Sequence, residues 1–100
     1  MSSRKRVLPQ ADFGRALQQW RTARGLVQED MMHATSRRHI SRIEQGHQVP
    51  SVRTIEALAD QMQIHPLTLI VAAYCEDLEM AAINNILQAV KSDFKKIIPG

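Results

Sequence analysis

Aromatic side chains are scarce: Phe13, Trp20, Tyr74 and Phe94 are the four in a chain of 100 residues. Glycine and proline are also few, four of each, and stand at few places, which favours long uninterrupted helices over a turn-rich chain. No stretch shows the period-two alternation of a half-buried strand, and neither an internal repeat nor a low-complexity segment is present. There is one cysteine, Cys75. A lone cysteine excludes an internal disulfide and a paired-cysteine metal site, and it points to a reducing compartment, with Cys75 read as a small buried apolar residue. Met1 to Leu8 is polar and basic and lacks the apolar core of a secretion signal. The longest apolar stretch, Leu67 to Ala73, is broken by Thr68 and is too short to span a bilayer. The expectation is a cytoplasmic protein with no membrane contact. His33, His39, His47 and His65 do not combine with acids or Cys75 at metal-ligand spacing, so no metal and no cofactor are expected. No nucleophile–base set, carboxylate pair or phosphate-cradling glycine loop stands out, so an enzyme is not expected.

What is present is a globular composition with an uneven charge. The length allows one domain with a modest core. The net charge of +3 conceals a division: residues 1–53 carry 10 of the 13 Lys and Arg but 4 of the 10 acids, for +6, whereas residues 54–100 carry −3. One half is suited to a polyanion and the other is not; a solvated basic surface without a partner is the other reading of the same numbers.

Along the chain, Arg4-Lys5-Arg6 lies in a basic arm over residues 1–8. Phe13, Leu17 and Trp20 then recur at helical spacing after a capping Asp12, and this first helix ends near Gly25. A short second helix is expected over Leu26 to Ala34, with Met31 as its inward anchor and Glu29 and Asp30 in its first turn. A third, capped by Ser36, runs from about Arg37 to Gln45 and stops at Gly46. Its Ile40 and Ile43 face inward, while Arg37, Arg38, Ser41 and Arg42 share the opposite face. Ser51 caps a fourth helix with Ile55, Leu58, Ala59 and Met62 on its apolar stripe. Pro66 opens a fifth. A break at Tyr74 to Asp77 precedes a last helix, with Asp77 as its expected cap and an apolar stripe running from Leu78 to Ile97.

The order Phe13-Gly14, Trp20-Arg21, Gly25-Leu26-x-Gln28-Glu29, Ile40-Ser41-Arg42-Ile43-Glu44-Gln45-Gly46 and Pro50-Ser51-x-x-Thr54-Ile55-x-x-Leu58-Ala59 resembles the helix-turn-helix family of phage repressors and Cro, the XRE-type regulators. The resemblance covers more than half of the chain. It implies an all-α fold: a five-helix phage-repressor-like DNA-binding domain over residues 9–75 with an additional C-terminal helix over 76–100. It also implies that the Ser36–Gln45 segment enters the major groove of double-stranded DNA. Carried over position by position, Arg37, Arg38, Ser41 and Arg42 read bases, and Gln28, Ser36, His39, His47 and Gln48 meet the phosphate backbone. Arg21 and Glu44 form a structural ion pair. The chemistry agrees, since the arginine fork matches the two acceptors on a guanine edge. The turn between Gln28 and Ile40 is about two residues shorter than the family pattern and lacks its glycine. Val27 replaces the usual Ser or Thr cap.

The last helix carries more apolar surface than one small domain readily buries. The expectation is a homodimer through Leu69, Ile83, Ile86, Leu87, Val90 and Phe94, reading a palindromic operator as a transcriptional regulator, a repressor. The alternative is that the last helix folds back on its own domain. A different functional class, the antitoxin of a toxin–antitoxin pair, would use the C-terminal segment to bind a partner protein while regulating its own operon.

Overall fold

The structure, a computed structural model, describes residues 11–100; the basic arm lies outside the described residues. Five α-helices and one 3-10 helix are present among them, with no strand.

Helix α1, Phe13–Ala23, starts where the Asp12 carboxylate accepts the Arg15 N–H at 3.0 Å. It ends in a left-handed turn at Gly25, φ +70°. There the Leu26 N–H reaches back to the Arg21 carbonyl and the Gly25 N–H to the Thr22 carbonyl, both at 2.9 Å, so two terminal carbonyls are satisfied. Helix α2, Arg37–Glu44, is capped by Ser36, whose Oγ accepts the His39 N–H at 3.1 Å. It ends the same way: Gly46 has φ +81°, and the His47 N–H bonds the Arg42 carbonyl at 2.9 Å. Ser51 caps α3, Val52–Met62, and this helix closes on Gln63, a non-glycine residue at φ +58°. Helix α4, Pro66–Tyr74, has Pro66 in its first turn and His65 Nδ1 as its cap acceptor.

The second helix expected over Leu26 to Ala34 is instead a single 3-10 turn, Gln28–Met31, followed by further turns. Val27 has no side-chain oxygen to cap it. The Asp30 carboxylate accepts the Val27 N–H at 2.8 Å, and the Asp30 N–H donates to the Val27 carbonyl at 3.0 Å. These i to i+3 bonds tighten the turn, which the shortened connection to α2 also requires. Met31 nevertheless reaches the core and is fully buried.

Helix α1 packs against α2 and α4, and α3 packs against α4. Their inward faces, with Leu17, Met31, Ile40, Ile43, Leu58 and Leu69 fully buried, form one hydrophobic cluster. Burying each such side chain contributes roughly 1.5–3 kcal/mol. Trp20, at helical spacing from Leu17, is half-buried and packs on the outside of this cluster. Arg15 has no role in the sequence reading, yet its Nη2 donates to both the Ala72 and Ala73 carbonyls, at 3.4 and 3.3 Å. That places a cation at the negative end of α4 and ties it to α1.

The chain breaks after Tyr74, and α4 and the last helix are separate elements. Helix α5 runs over Met80–Lys95 with Glu79 at its cap position and no side-chain cap bond. The expected cap, Asp77, contributes only its carbonyl, to the Glu79 N–H at 3.0 Å, because residues 76–79 bend before the helix begins. Leu78 and Ile97, expected on the helical stripe, lie outside it. No residue of α5 is buried.

Candidate nucleic-acid interface

The close packing of α1 on α2 begins at Gly14. A Cβ there would stand 2.5 Å from the Ile43 carbonyl oxygen and 2.8 Å from that of Glu44. Only hydrogen fits, and α1 therefore approaches the end of α2 to backbone contact. Alongside this seam Arg21 Nε donates to Glu44 Oε2 at 2.8 Å, and Arg21 Nη2 donates to Oε1 at 3.0 Å. The third nitrogen, Nη1, donates to the Leu26 carbonyl at 2.9 Å. The two side chains are only 13% and 6% exposed. The hydrogen bond to Glu44 raises the Arg21 pKa, against an opposing effect of burial, so the guanidinium stays charged. The pair fixes how α2 sits on α1.

Gln28 joins this pair rather than standing free: its Nε2 donates to Glu44 Oε1 at 3.1 Å. Its carbonyl oxygen and second amide proton remain beside α2. The opposite face of α2 is open. Arg37, Arg38 and Arg42 are exposed, and with Ser41, Gln28 and Gln45 they line an open depression of about 420 Å³. Gln45, which the sequence reading did not single out, donates through Nε2 to Ser41 Oγ at 3.2 Å. That hydroxyl is thereby oriented, a contact that i, i+4 spacing makes available.

Two of the three arginines have a neighbour at Nε. Arg37 Nε lies 3.0 Å from Glu29 Oε2, and Arg42 Nε donates to Gln48 Oε1 at 3.3 Å. The same Gln48 oxygen lies 3.0 Å from His39 Nδ1. His39, Arg42 and Gln48 thus form one cluster, and the Gln48 amide nitrogen is left to donate outward. Ser36 caps α2 with its oxygen, leaving its hydroxyl proton to donate. His47 is exposed in the loop just after Gly46. The candidate backbone-contacting residues therefore flank the arginine face on both sides.

A family model described as a helix-turn-helix domain matches residues 12–66, more than half of the chain. The chain belongs to the helix-turn-helix domain family. The match takes in α1, the 3-10 turn, α2 and α3, and it ends at the first residue of α4. An all-α helix-turn-helix regulator of DNA is the class this supports, in agreement with the resemblance to XRE-type proteins. No curated protein and no solved structure matches the chain. Among the described residues, no helix is long and apolar enough to cross a membrane.

The residues expected at a dimer interface divide. Leu69 is corrected: it is 1% exposed and belongs to the domain core, because its side of α4 faces α1 and α3. Leu87, Val90 and Phe94 are 42%, 44% and 52% exposed along α5, and Ile83 and Ile86 are half-buried. Between α4 and α5 lies an apolar groove of about 450 Å³ lined by Trp20, Leu67, Val71, Leu78, Ile83 and Leu87, among others. The last helix touches the domain along one edge of this groove without closing it.

Proposed function

We propose that this helix-turn-helix protein is a sequence-specific DNA-binding transcriptional repressor that lays α2 in the major groove. One observation carries the reading: Arg37, Arg38 and Arg42 stand exposed on one face of a helix whose other face is locked into the core. A rigid helix with free guanidinium forks is what direct readout of guanine requires. Ser41 lies between the arginines and reads a base edge. Gln28, Ser36, His39, His47 and Gln48 meet the phosphates on either side and set the register.

The protein acts in the cytoplasm as a homodimer. The unburied stripe of Ile83, Leu87, Val90 and Phe94 on α5, spaced by four, three and four residues, supplies the apolar seam. Two-fold symmetry then sets the recognition helices about 34 Å apart on a palindromic operator. The same exposed groove also favours a second reading, an antitoxin whose C-terminal segment binds a toxin; a stoichiometric protein co-purifying from the native source would select it.

The test is selection of duplexes from a random library at near-physiological salt. The expected outcome is a palindrome with guanines at fixed half-site positions. Arg37→Ala, Arg38→Ala and Arg42→Ala should each relax one position rather than weaken all sequences equally. Binding that selects no motif and disappears with salt refutes the reading, and a monomer in sedimentation at micromolar concentration refutes the dimer.

A further inference from the structure

One arginine of the surface proposed to meet DNA is paired with an acid. Glu29, in the 3-10 turn, puts Oε2 at 3.0 Å from Arg37 Nε, with the two side chains 60% and 55% exposed, Arg37 first. An ion pair so exposed adds little to folding stability. A carboxylate on a phosphate-facing surface also lowers general affinity for DNA, because it cancels one positive charge. Neither stability nor affinity accounts for it.

Its effect is geometric. The carboxylate forms an ion pair on the Nε side of the guanidinium without the alignment of a hydrogen bond, and among the described residues the terminal nitrogens of Arg37 make no hydrogen bond within the protein. The pair Nη1 and Nη2 is therefore the free end of a fork whose other side carries the salt bridge. That pair matches the O6 and N7 acceptors of guanine in the major groove. Anchoring removes rotamer freedom that an unheld arginine loses only on binding, and the negative charge discourages Arg37 from turning to a nearby phosphate. Arg42 differs: its Nε donates a hydrogen bond to the neutral Gln48 oxygen at 3.3 Å. Of the two, Arg37 is the one whose Nε faces a charge.

We propose that Glu29, outside the recognition helix, is a specificity-determining positioning residue: it holds Arg37 through Nε so that its terminal nitrogens read a single guanine. The inference rests on the DNA-reading role of α2 proposed above. When DNA covers the pair and excludes water, the Glu29–Arg37 attraction strengthens, so its effect falls on the bound complex.

The experiment uses the full chain and the duplex that the wild type selects, with every half-site position changed in turn to each other base. Binding is measured for wild type, Glu29→Ala, Arg37→Ala and the double variant, with thermal melting alongside. One position should prefer guanine in the wild type and lose that preference in Arg37→Ala. At that position Glu29→Ala should reduce the guanine preference by about fivefold or more. Its affinity for unrelated duplex should be equal or higher, and its melting temperature unchanged. The double variant should match Arg37→Ala alone. If Glu29→Ala binds every sequence more tightly with preferences intact, Glu29 merely competes for Arg37 and the proposal is overturned. If removing Glu29 changes base preference even when Arg37 is absent, Glu29 reads a base itself and the proposal is again overturned. A wild type that selects no sequence is a different failure, that of the DNA-reading role, and it appears before any variant is made.

Discussion

Replacing Gly14 with alanine separates two effects of opposite sign. Gly14 lies in the first turn of α1, and its φ is not positive. In an open helical site, alanine is favoured over glycine by about 1 kcal/mol. Here the new methyl would meet the Ile43 and Glu44 carbonyl oxygens at 2.5 and 2.8 Å. Ordinary contact begins near 3.4 Å, so α1 and the end of α2 must part by roughly 1 Å. The obstructing atoms are backbone, not the end of a flexible side chain, so the helices themselves must shift. Overpacking costs about 1–3 kcal/mol, and an obstruction made of backbone puts this site at the upper end, about 2–3 kcal/mol. Set against the helical gain, a net loss of about 1–2 kcal/mol is expected, or a melting temperature lower by roughly 5–15 °C. The displacement also falls on the seam beside the Arg21–Glu44 pair, so affinity for a selected duplex should drop at temperatures where the variant is still folded. Gly25 is the control: a Cβ there meets nothing within 4 Å, although its φ is +70°. Gly25→Ala should cost about 1 kcal/mol through backbone strain and leave DNA affinity intact. Thermal and urea melts, with binding measured well below the transition, test both. A Gly14→Ala protein as stable as the parent, or more stable, would refute the close-approach argument.

Glu44→Ala removes the shared acceptor of Arg21 and Gln28 and leaves a largely buried guanidinium unpaired, so stability should fall by about 2–3 kcal/mol and duplex affinity should fall with it; an unchanged melting temperature would show that the pair does not hold α2. Gln63→Gly relieves a non-glycine residue at φ +58° at the end of α3. It should raise stability by about 0.5–1 kcal/mol with no effect on binding, and a destabilised protein would show that the Gln63 side chain contributes more than its backbone costs.

The parts of the fold that were legible in the sequence rest on local chemistry. Asp12, Ser36 and Ser51 each supply a side-chain oxygen to a helix start, and Gly25 and Gly46 each take the left-handed turn that ends a helix. Such signals act over three or four residues and need no tertiary context. What escaped depends on longer reach or on competing terms. The second helix collapsed to a 3-10 turn because Val27 offers no cap and the connection to α2 is short. Leu69 looked like one more residue of an exposed apolar run. Which side of α4 meets α1 and α3 is decided by packing, and periodicity is uninformative in a segment that is apolar nearly all round. The cap of α5 moved from Asp77 to Glu79 because the bend after Cys75 consumes those residues.

The candidate interface divides along the same line. The arginine face of α2 follows from a helical period and two inward isoleucines, so sequence alone places Arg37, Arg38, Ser41 and Arg42 together. Arg21 and Glu44 are separated by 23 residues, and only the family resemblance, not any spacing rule, brought them together. Nothing comparable pointed to Glu29 against Arg37 or to Gln48 against Arg42 and His39, because each contact crosses a turn whose path is set by the core. These cross-turn contacts are also the ones that reach the Nε atoms of Arg37 and Arg42. On the reading proposed for α2, the sequence pattern gives the side chains that face DNA, and neighbours outside the helix bear on their aim. Two proteins with the same residues at the four α2 positions but different residues at 29 and 48 should therefore differ in how strictly they read the same bases.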